Sequence, residues 1–91
     1  MIVSTISITI RIFDSYSLKD KRSVIKSIIQ KSKQKFNISI SEVDFQDIHN
    51  LAKLGVAVVS NDFSHNQKVI DSLIHFIEEN YAVEISDIED Y

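Results

Sequence analysis

Apolar side chains recur at Ile2, Ile6, Ile8, Ile10 and Ile12, while Thr5, Ser7, Thr9 and Arg11 take the alternate positions. A period of two is that of a half-buried strand. From Leu18 the period lengthens. Leu18, Ile25, Ile28, Ile29 and Phe36 share one face at about 3.6 residues per turn, which predicts a helix over residues 18–36. Ser17 and Asp20 have the spacing of a capping box and place its start. The stretch NISISEVDF predicts a second strand, whose apolar parity switches between Ile40 and Val43 and so predicts a bulge near Ser41 and Glu42. KLGVAVVS, rich in β-branched residues, predicts a third strand around the only glycine, Gly55. Phe63, Ile70, Leu73, Ile74, Ile77 and Tyr81 line one side of a second helix over residues 63–81, with Ser64 and Gln67 as its capping box. AVEISDIEDY closes the chain as a fourth, acidic strand.

The predicted order is strand, helix, strand, strand, helix, strand. Right-handed crossovers put both helices on one face of a single sheet. The expected fold is therefore α+β, a ferredoxin-like split βαβ (βαββαβ) with a four-stranded antiparallel sheet and two helices on one face. Ninety-one residues hold one core, so residues 1–91 are read as one domain. No proline and a single glycine leave no linker to divide it.

Composition narrows the chemistry. A hydrophobic fraction of 44% with 25% charged residues is that of a folding chain rather than a disordered one. With no cysteine there is no disulfide framework and no thiolate nucleophile or metal ligand, which fits a cytoplasmic setting. The opening MIVSTISITI lacks the basic region of a signal peptide, and no stretch has the length and hydropathy of a membrane span.

Charge changes the picture most. Residues 18–36 contain seven of the ten basic residues (Lys19, Lys21, Arg22, Lys26, Lys31, Lys33, Lys35) and one of the thirteen acids, Asp20. That segment is net +6 and the remainder net −9, hidden beneath a total of −3. On a helical wheel Lys19, Arg22, Lys26 and Lys33 fall in one narrow stripe beside the apolar face. Like-charge neighbours such as Lys19 with Arg22 and Arg22 with Lys26 each cost about 0.2–0.5 kcal/mol in an isolated helix. A phosphate chain is one ligand that would use them. A solvated face, paired across the molecule with the acidic remainder, is the simpler expectation, and a pI near 5.5 favours it.

Other candidates are thinner. The central strands offer Thr5, Ser7, Thr9, Gly55, Ala57 and Val59 at their polar-parity positions, with no aromatic ring for base stacking. That small, flat face could instead be solvated or meet a second copy. Glu42, Asp44, Asp47 and His49 cluster in EVDFQDIHN, but their spacing matches no established metal motif. His65 and His75 read as surface residues, and there is neither a nucleophile elbow nor a phosphate-cradling glycine loop. No catalytic residue, cofactor or metal site is assigned.

The run SLKDKRSVIKSIIQKSKQKFNISISEVDFQD, followed by LGVAVVS and an acidic last strand, resembles the YlxP-like family of small bacterial proteins, a domain of unknown function. The resemblance covers essentially the whole chain and implies a ferredoxin-like fold. Genes of this family often lie beside those of translation initiation and ribosome maturation factors, which implies ribosome-linked work. The loop after QD commonly carries a tryptophan and a basic residue in the family, where this chain has His49 and Leu51. The resulting expectation is a non-catalytic RNA- or ribosome-associated protein contacting phosphate through Lys19, Lys21, Arg22, Lys26 and Lys33. The alternative is a homo-oligomeric interaction module, a homodimer for example, with no nucleic-acid ligand; an enzyme ranks third.

Overall fold

A computed structural model describes all 91 residues. Its elements are β1 (Ile2–Ile12), α1 (Leu18–Lys35), β2 (Ser39–Asp44), β3 (Leu51–Ser60), α2 (Phe63–Asn80) and β4 (Val83–Asp90). The strands form one sheet in the order β2-β3-β1-β4, antiparallel throughout. This is the ferredoxin-like arrangement that the periodicities predict. The two most apolar strands are central, because each is covered by a neighbour on both edges.

Both helices pack on one sheet face. Ile6, Ile8, Ile10, Val56 and Val58 project from the central strands into a core shared with Ile25 and Ile28 of α1 and Ile70, Leu73 and Ile77 of α2. The period of two and the period of 3.6 thus meet at one apolar layer. At the far end of that layer the fully buried Asn66 donates to Ser4 Oγ at 3.1 Å and to the carbonyls of Ile2 and Val58, and accepts from Ser60 Oγ at 2.6 Å. A polar side chain survives there because its amide is bonded at both ends.

Two local expectations shift. Helix α2 is capped by Asp62, whose carboxylate accepts from Ser64 N at 3.0 Å, rather than by Ser64. An aspartate one residue before the helix reaches the free first-turn amides, while Ser64 already lies inside it. The β2 bulge lies at Val43, just beyond Ser41 and Glu42: Glu42 faces Leu54 and Asp44 faces Lys53, leaving Val43 as the extra residue. The bulge explains Gly55. A Cβ placed there would sit 2.9 Å from Val43 Cγ1, so any side chain at this position would have to push the displaced valine aside.

Candidate functional site

Helix α1 begins at a Ser17 cap. Ser17 Oγ accepts from Asp20 N at 3.1 Å, and the Asp20 carboxylate reaches back to Tyr16 N at 3.2 Å. The single acid of the segment is thus used by the helix start. The cations that follow separate into three groups by their angle around the helix.

Lys21 points inward. Its side chain is 1% exposed, and its Nζ lies 2.8 Å from Glu42 Oε2 and donates to the Phe45 carbonyl. The contact with Glu42 is one of charge more than of alignment, since the buried Oε2 receives no hydrogen bond, from Lys21 or from any other donor. Lys21 is therefore removed from the phosphate-contacting set. Its ammonium is walled off from solvent, and it pins the first turn of α1 to the bulged end of β2. The signal was present in the sequence: Lys21 lies four residues before Ile25 and seven before Ile28, on the apolar face itself. Its charge alone argues for the surface, while its angle on the helix places it in the core.

Lys19, Arg22, Lys26 and Lys33 are all exposed. They run along the side of α1 nearest β2 over about 21 Å of helix axis. Between this stripe and the edge strand lies a groove of about 440 Å³, walled by Arg22, Lys26 and Gln30 on one side and Ser41 and Glu42 on the other, with Ile25 and Ile29 beneath. Lys31 and Lys35 lie on the opposite flank. There Lys35 Nζ sits 5.1 Å from the centre of the Phe76 ring, at the seam between the helices.

The acids of the chain do not reach the stripe. The protein's four ion pairs are Arg11–Glu84, Lys21–Glu42, Lys53–Glu89 and His75–Glu79, none of which includes Lys19, Arg22, Lys26 or Lys33. Glu84 and Glu89 of β4 turn instead to Arg11 and Lys53 on the outer sheet face. Pairing across the molecule, the expectation attached to a solvated face, does not occur for these four cations.

The remaining candidates are dispersed. Of the four residues in EVDFQDIHN, Glu42 turns to Lys21, Asp44 accepts from Phe45 N at 2.8 Å, and Asp47 and His49 face solvent. They do not converge on a point. No helix is long and apolar enough to cross a membrane. The outer sheet face does gain one aromatic ring, from a residue outside the central strands. Tyr91 pairs with Thr5 through its N–H (3.0 Å) and its carbonyl (2.8 Å from Thr5 Oγ1), while its hydroxyl lies 3.2 Å from Glu89. That carboxylate makes the ring a poor neighbour for phosphate.

The fold and the inward lysine define a small α+β protein of ferredoxin-like topology with a cationic helix flank. A family model described as "Protein of unknown function (DUF503)" matches residues 3–90, and the chain belongs to that family. It is similar to the "Uncharacterized protein YlxP" of Bacillus subtilis (strain 168), with 39% identity over 67 residues, 74% of this chain and 73% of the relative.

Proposed function

We propose that the protein is a non-catalytic RNA- or ribosome-associated accessory factor that holds phosphate along the β2 flank of α1. One observation carries this reading: Lys19, Arg22, Lys26 and Lys33 share a face and none is neutralised within the protein. Their mutual repulsion costs folding energy, and a polyanion is the ligand that turns it into binding through released counterions. The contact is to backbone phosphate and not to bases stacked on the sheet, because the outer face lacks aromatic rings on its central strands.

Replacing Lys19, Arg22 and Lys26 by Gln tests it. Four phosphate contacts give a log–log salt slope near −3 on a single strand, at about −0.7 per contact; the triple variant keeps one contact and a slope near −0.7. Equal affinity of wild type and variant for ribosomal RNA at low salt would refute the proposal. The oligomeric alternative draws on Val3, Val43 and Val59, each more than half exposed. Sedimentation that shows a monomer at all concentrations would remove it.

A further inference from the structure

Granting phosphate along α1, the geometry points to a single strand as the ligand, with one base lodged in the groove between α1 and β2, and we infer a preference there for a base bearing an exocyclic amino group. The stripe cations rise along the helix axis by about 4.5 Å from Lys19 to Arg22 and about 6 Å from Arg22 to Lys26. Such steps suit successive phosphates of one extended chain.

The groove lies beside the stripe, not across from a second one. Its floor, Ile25 and Ile29, is apolar, and Arg22 and Lys26 form its rim. A base swung off the phosphate line enters it and finds the flat face of the Arg22 guanidinium for stacking. In a duplex the bases are turned inward and paired, so the groove stays empty and only the phosphate contacts remain. No aromatic platform is needed in this arrangement, in keeping with the aromatic-free central strands.

The groove is also chemically selective. Glu42, about one-fifth exposed, brings the only carboxylate to its wall, with its charge already balanced by Lys21. Oε2 is buried against Lys21, so it is the other oxygen, Oε1, that accepts from an amino group such as the N4 amine of cytosine. The O4 carbonyl of uracil, an acceptor itself, meets that same carboxylate unfavourably. Gln30 and Ser41 complete the polar rim and tolerate either base.

The test compares fluorescent oligo(C), oligo(U) and a blunt RNA duplex, each about eight nucleotides long, titrated at about 50 mM KCl and neutral pH. Oligo(C) is expected to bind about tenfold more tightly than the duplex and several-fold more tightly than oligo(U). Gln30→Trp, at an exposed position, fills the groove and is expected to abolish the difference between oligo(C) and oligo(U) while leaving duplex affinity and the circular dichroism spectrum unchanged. Duplex binding as tight as oligo(C), with the Lys19/Arg22/Lys26 variant still weakened, would overturn this inference and leave the phosphate proposal standing. Equal affinity for oligo(C) and oligo(U), or a Gln30→Trp protein that still separates them, would overturn the base preference. Failure of all three RNAs to bind would overturn both.

Discussion

Replacing Lys21 by Met removes the ammonium and keeps most of the side-chain volume. What remains is Glu42 facing an apolar side chain and a Phe45 carbonyl without its donor. Stripping one partner from a buried ion pair costs about 3–5 kcal/mol. Glu42 keeps 21% of its side chain exposed, so water relieves part of that cost. The predicted loss is therefore about 2–3 kcal/mol, at or just below the lower limit of that range. For a domain of this size about 1 kcal/mol moves Tm by about 4–8 °C, so the variant should melt about 10–20 °C below wild type. Thermal denaturation followed by circular dichroism reads this directly. The double variant Lys21→Met with Glu42→Leu discards the stranded carboxylate and should recover more than half of the loss. A Lys21→Met protein melting within about 2 °C of wild type, or a double variant no better than the single, would refute the assignment of Lys21 as a structural pin. The same variant separates structure from binding. Below its Tm its RNA binding should keep the wild-type salt slope, because the four stripe cations are untouched, in contrast to the Lys19/Arg22/Lys26 protein.

Two further outcomes follow from packing described above. Gly55→Ala should cost about 1 kcal/mol, because the new Cβ forces Val43 aside, and pairing it with Val43→Ala should return stability to wild type or above; urea denaturation of the two proteins checks both halves. Asn66→Ala should cost about 2–3 kcal/mol by leaving Ser4 Oγ and the carbonyls of Ile2 and Val58 short of a donor, and a urea midpoint unchanged from wild type would contradict the account.

The architecture was legible because its signals are additive along each element. Ile6, Ile8 and Ile10 alternate, Ile25 and Ile28 fall on one helix face, and any single exception leaves the sum intact. The features that shifted depend on one residue each. Ser64 and Asp62 are both good caps, and only the position of the first helical turn decides between them. The parity switch in β2 announced a bulge, yet it was the pairing with Leu54 and Lys53 that identified Val43 as the extra residue. In the candidate site, the stripe was readable from angular position alone. The inward turn of Lys21 was readable too, but its charge argued for the surface, and its partner Glu42 lies 21 residues away on another element. The groove beside Arg22 and Lys26 has no sequence signature, since its second wall comes from β2.

The Lys21 contact also changes how the edge of the sheet comes apart. Strand β2 is short, bulged and bonded on one side only, the kind of segment that frays independently of the rest of a domain. Tied through Glu42 and the Phe45 carbonyl to the first turn of α1, it cannot open without carrying that turn along. Backbone amides of β2 and of the start of α1 should therefore exchange as one cooperative unit. A partner that binds between them should then slow the exchange of an edge strand and a helix terminus by the same factor.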